Sequence, residues 1–297
     1  MGKTSTIALV KTVDRASGIP AAIDLLNIAP VTGKNVLLKP NFNTADAFPG
    51  STHNDTLRAL ILSLKNSGAA AITVGDRSGP ADTRDVIHEK SVDRLCKELC
   101  VNLINFEDLS PAEWLRIRPE RSLWRQGFDF AKPVLHAERV VTTCCLKTHG
   151  YGAIFTMSLK LAVGMTHKSN MAELHSSHHD MGRKIAEINQ AYTPSLILLD
   201  GIEAFTDHGP MTGTRKRADV ILAGTDRVAI DAVGLAILKQ LGSNHAIMGT
   251  RIFEQEQIAW SVKLGIGVSG PEDIEIITGD ETSRNYATVL KGILLQG

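Results

Sequence analysis

The stretch "RVVTTCCLKTHGYGAIFTMSLK", residues 139–160, decides how the chain is read. It opens on valines, threonines and cysteines, with no charge between Val140 and Leu146. A short apolar run of this kind, rich in β-branched residues, reads as a strand buried on both faces. Directly after it come Lys147, Thr148 and His149, and a little further on Lys160. In a sheet of parallel strands, ligands bind beyond the carboxyl ends. Reactive side chains released at the end of a buried strand are therefore expected to serve a site there.

Working outward, the same pattern recurs. Apolar segments at 6–12, 35–41, 70–76, 101–108, 195–201, 218–226 and 274–280 read as further strands. Segments of helical period lie between them at 54–68, 181–192, 226–242 and 252–265. Strands apolar on both faces, alternating with amphipathic helices, predict an α/β fold: a mainly parallel multi-stranded sheet with helices on both faces. No repeat, low-complexity tract or linker divides residues 1–297, so one domain is expected. Residues 110–192, which begin with an Arg- and Trp-rich excursion lacking a clear period, leave room for an inserted lobe.

Composition excludes several classes. The chain has 297 residues, 43% hydrophobic and 22% charged, which suits a globular core. Lys+Arg and Asp+Glu balance at 32 each. That balance gives no electrostatic reason to expect nucleic acid or a membrane surface as partner. No apolar run reaches the ~20 residues that span a bilayer. Four cysteines and no signal-peptide pattern lead us to expect a reducing cytoplasm. Cys96 and Cys100 stand at helical spacing and are expected on one helix face. No C-x-x-C pair and no iron–sulfur cluster motif is present. Cys144 and Cys145, adjacent on a strand, should point to opposite faces and form no disulfide with each other.

The groups after each strand define the candidate site. "KPNFNT" supplies Lys39 and Asn41, "GDRSGP" supplies Asp76, and the opening stretch supplies Lys147, Thr148 and His149. "DGIEAFTDHGPMTGT" supplies Asp200 and Gly209, and "GTD" supplies Asp226, which also reads as a helix cap. Five of the ten histidines fall between His149 and His179. Imidazoles at that density suit a metal, proton transfer or phosphate contacts, although a solvated polar loop is the better reading for His178 and His179. No P-loop, G-x-G-x-x-G or H-E-x-x-H spacing occurs.

The ordered segments "LLKPNFN", "VGDRSG", "CLKTHGYGAIFTMSLKLAVG", "LLDGIEAFTDHGP" and "ILAGTDRVAIDAVG" together resemble the uncharacterised family named DUF362. Relatives often carry a ferredoxin-type module, which this chain lacks. Leu161 stands where the family pattern has asparagine. The order His149, Lys160, Gly164, His175 is also similar to lactate racemase, whose nickel-pincer nucleotide is attached through a lysine. Val163 replaces that enzyme's proline. The similarity implies a shared placement of the site and is no evidence for nickel.

The expected function is an enzyme or cofactor-handling protein that binds an anionic small ligand at the carboxyl edge of the sheet. Lys39, Asn41, Asp76, Lys147, Thr148 and Gly209 are the expected ligand-binding residues. His149, Lys160 and His175 are the expected catalytic groups. His149, His175 and Asp200 would hold a metal. The cofactor class is left between a divalent metal and a phosphorylated cofactor. The alternative is a non-enzymatic protein docking on an iron–sulfur redox partner through the stretch 114–124.

Overall fold

The structure, a computed structural model, describes residues 4–28, 31–152 and 154–297. The strands are β1 Ser5–Lys11, β2 Asn35–Lys39, β3 Ala71–Asp76, β4 Asn102–Asn105, β5 Trp114–Ile117 and β6 Phe128–Ala131. They continue with β7 Arg139–His149, β8 Ile154–Thr156, β9 Leu196–Asp207, β10 Thr214–Gly224 and β11 Ile274–Ile277. Nine of these form one sheet in the order β11-β1-β10-β9-β7-β2-β3-β4, with β8 paired to β7. All eight strands expected from the sequence are present in it.

Alternation along each strand sends side chains to two apolar clusters. One gathers Leu37, Val140, Cys144, Ile197 and Leu222 against the helices Arg227–Leu241 and Glu281–Gln296. The other gathers Leu38, Val141, Leu198 and Ile221 against the helices Arg15–Leu25 and Asn54–Asn66. The sheet is thus covered on both faces, as its apolar strands require. Trp124, Phe128 and Phe130 from the β5–β6 hairpin region belong to the first cluster.

Three local expectations are corrected. β10 pairs antiparallel with both β9 and β1, while β9, β7, β2, β3 and β4 run parallel. The "GTD" after β10 therefore lies at the opposite edge from the other strand ends. There Asp226 caps the helix Arg227–Leu241, accepting from the Val228 and Ala229 N–H groups. The fourth strand stops at Asn105, whose side chain accepts the Glu107 N–H at 2.9 Å and opens a short turn instead. Cys96 is buried within the helix Val92–Glu98, but Cys100 lies beyond its end at φ 48°, exposed, so the two thiols share no helix face.

Candidate functional site

β7 outruns its neighbour β2. The β2 register ends at Lys39 opposite Thr142, yet β7 continues to His149. Residues 145, 147 and 149 share one face of this overhang. β8 folds back on it, placing Thr156 opposite Lys147 and Ile154 opposite His149. The short helix Ser158–Leu161 follows at once and carries Lys160. Lys160 thus returns towards His149 through a hairpin.

The ends of β2, β3 and β7 and this helix enclose a cavity. Lys39, Asn41, Asp76, Arg77, Lys147, His149, Thr156, Lys160, Gly164 and Pro210 are in its lining. Of the expected residues, Lys39, Asn41, Asp76, Lys147, His149 and Lys160 meet there. Thr148 and Gly209 sit behind it. The Gly209 N–H donates to Thr148 Oγ1 at 3.1 Å, and a Cβ on Gly209 would lie 2.2 Å from the Thr148 carbonyl oxygen. This close approach carries Pro210 to the cavity. His175 is exposed; its Nδ1 lies 2.7 Å from the Met171 carbonyl and its ring packs against Tyr151.

Asp200 is elsewhere. It accepts from Arg15 Nε at 2.7 Å and from the Thr56 hydroxyl. It sits where the pairing of β9 with β7 jumps, from Cys145 opposite Asp200 to Leu146 opposite Ala204. Among the described residues no three His, Cys, Asp or Glu side chains are grouped to hold a metal ion. His149, His175 and Asp200 therefore form no ligand set here, and the donor chemistry does not fit a divalent cation.

The electrostatics are those of a cationic hollow. Lys39 pairs with Asp76 at 2.5 Å, both nearly fully buried. Burial lowers the Lys39 value and raises that of Asp76, and each charge opposes the shift of the other. Gly164 lies directly on this pair: a Cβ there would stand 2.7 Å from Lys39 Nζ. The Lys147 ammonium donates to the Gly50 carbonyl, and burial lowers its pKa. Lys160 Nζ makes no hydrogen bond or ion pair with any described residue. Burial first, then Lys147 and Arg77, push its pKa down to about 8. Burial, Lys160 and Lys147 push His149 down to about 2, so its imidazole is neutral at pH 7. Its Nδ1 accepts the Tyr151 N–H at 3.1 Å, which puts the ring proton on Nε2.

Two supporting residues were not singled out in the sequence. Arg77 donates to the carbonyls of Thr166, Val163 and Ser78 at 2.6–2.8 Å, tying the turn after Lys160 to the end of β3. Burial lowers its pKa to about 10, which leaves it charged at pH 7. Asp231 lies on the helix Arg227–Leu241. Its carboxylate accepts the backbone N–H groups of Ser158 at 2.7 Å and Leu159 at 3.0 Å. A lone carboxylate in "RVAIDAVGLAIL" was the available signal, since a charge inside a wholly apolar run must find partners.

Fold and site together define an α/β protein with a cationic cavity at the carboxyl edge of its sheet. The chain belongs to the DUF362 family, described as "Domain of unknown function (DUF362)", which matches residues 36–236. It is 26% identical over 220 residues to the thylakoid-associated protein sll1697 of Synechocystis sp., covering 70% of this chain. The chain spans 64% of that relative's length. In structure it is similar to the lactate racemase apoprotein from Thermoanaerobacterium thermosaccharolyticum, with a TM-score of 0.52. The superposition covers 97% of this chain and 86% of that one at 10% identity, a likeness of fold. Among the described residues no helix is long and apolar enough to cross a membrane.

Proposed function

We propose that this protein is an enzyme or cofactor-handling protein whose cavity binds a small anionic ligand bearing a carboxylate or phosphate. One observation carries the reading. Four cationic side chains, Lys39, Arg77, Lys147 and Lys160, line the cavity, against one carboxylate among the described lining residues, Asp76, already paired with Lys39. Buried cations without counter-charges are costly, and an anion entering the hollow would relieve that cost. Thr156 adds a buried hydroxyl with no partner among the described residues. A phosphorylated cofactor suits this donor set, whereas a bare divalent cation does not.

Lys160 and His149 are the reactive groups in this reading. Lys160 supplies an amine that is partly neutral near pH 8. His149 supplies a neutral N–H donor. In the stretch that the docking alternative uses, Trp124 is buried and Arg116 is paired with Asp129. The test is native mass spectrometry with phosphorus and metal analysis of the purified protein. A bound small mass bearing phosphate or carboxylate supports the reading. Stoichiometric metal without any such mass speaks against it.

A further inference from the structure

Lys160 differs from the other cations of the cavity. Lys39 has Asp76, Arg77 has three carbonyls, and Lys147 has Gly50. The Lys160 amine has no acceptor among the described residues, although the segment that carries it is pinned on every side. Asp231 holds the N–H groups of Ser158 and Leu159. Asn189 donates to the Leu159 carbonyl at 2.8 Å, and Arg227 in turn donates to Asn189. Arg77 holds the Val163 carbonyl on the following turn. A side chain kept unpaired on a backbone fixed this firmly is left free to meet a ligand.

Its neighbours are positive. A cation beside a buried amine disfavours protonation and leaves the lone pair available for attack. Lys147 and Arg77 act on Lys160 in this sense, adding to burial, and bring its pKa to about 8. The same cations would hold the anionic end of a ligand while the amine meets its other end.

We infer that Lys160 is a covalent site that forms an imine with a small carbonyl compound carrying a carboxylate or phosphate, an oxo acid being the simplest case. The inference rests on the anion-binding reading above and names the substrate class. In the step, Lys160 Nζ adds to the carbonyl carbon, forming a C–N bond and a carbinolamine. The C–O bond then breaks, and the oxygen leaves as water with the two hydrogens the amine gives up. No oxidant or reductant is consumed. The cations lining the cavity hold the ligand's anionic group, and a neutral His149 adds no positive charge to compete for it.

The experiment treats the full-length protein with pyruvate or glyoxylate and sodium cyanoborohydride at pH 8, then maps the modified lysines by peptide mass spectrometry. At that pH a lysine with pKa near 8 holds roughly a hundredfold more free amine than one near 10.4. Lys160 is therefore expected to be trapped at least about tenfold faster than the surface lysines. Lys160→Arg keeps the charge and should abolish that adduct. Calorimetry with inorganic phosphate runs alongside. Phosphate binding without preferential trapping of Lys160 overturns the imine and leaves the anion site standing. Absence of both overturns the two readings together. Preferential trapping that excess phosphate suppresses supports both.

Discussion

The carboxylate of Asp231 accepts the backbone N–H of Ser158 at 2.7 Å, across from one helix to the start of another. With its second bond to Leu159 it satisfies two donors that the short Lys160 helix cannot satisfy itself. The position of Lys160 therefore depends on a carboxylate 71 residues further along the chain.

Removing that carboxylate should be felt in stability and at the site. Asp231→Ala leaves two buried donors unpaired, at about 1–3 kcal/mol each. Urea unfolding should show the loss, and preferential trapping of Lys160 should weaken in the same variant. Asp231→Asn, which keeps an acceptor, should fall between Asp231→Ala and the parent at neutral pH.

Asp231 also gives stability a pH dependence. Burial raises its pKa from 3.8 to about 7, so the folded state binds this proton more tightly than the unfolded chain does. Its contribution is complete below pH 4 and is lost as pH rises towards 7, at about 1.4 kcal/mol per unit of pKa difference. Asp231→Asn cannot titrate. The stability gap between parent and variant should therefore shift in the variant's favour from pH 4 to 7 and stay level above it. A gap independent of pH would show that the carboxylate titrates alike in both states.

The Lys39–Asp76 pair predicts an asymmetric mutant series. Lys39→Met or Asp76→Leu alone leaves one buried charge without its partner, a loss on the order of 3–5 kcal/mol. The double variant should cost less than the sum of the two. Gly164→Ala forces a methyl to within 2.7 Å of Lys39 Nζ and should destabilise without removing any charge. Chemical denaturation of the four proteins measures all of this.

The cysteines give a test by reactivity. Cys144 and Cys145 are free, buried, and raised in pKa by burial. Cys100 is exposed. In the native protein a thiol reagent should label Cys100 quickly and the adjacent pair only on unfolding. Rapid labelling of Cys144 or Cys145 would mean that β7 opens in the folded state.

Much of this was readable from the chain alone. Continuous apolar runs marked the strands, because burial on both faces removes every polar position. The gathering of Lys39, Asp76, Lys147, His149 and Lys160 followed from their placement just after such runs. The direction of β10 was not readable: a buried strand has the same composition whichever way it runs. For the same reason "DGIEAFTDHGPMTGT" looked like a loop, whereas its first half continues β9 through Asp207 and its second half is the hairpin tip. Asp200 was misplaced with it, since an irregularity in pairing leaves no periodic mark in sequence. Arg77 and Asp231 act through backbone groups of distant segments, a relation that appears only in three dimensions.

His149 and Lys160 supply a coupled pair. If they serve one ligand, His149→Ala and Lys160→Ala should each remove most binding or activity while leaving unfolding curves close to the parent's. The double variant should then be little worse than either alone. Losses that simply add would indicate two independent roles.

The central claim is that the cavity is an anion site, and calorimetric titration with inorganic phosphate and small carboxylates tests it most directly. We predict saturable binding that weakens with salt and weakens again as pH rises through about 8, where Lys160 loses its charge. Lys147→Met or Lys160→Met should reduce the affinity at least about tenfold, the loss of one charge-assisted contact of about 1.5–3 kcal/mol. Binding that is absent, or that persists undiminished in both variants, would contradict the account.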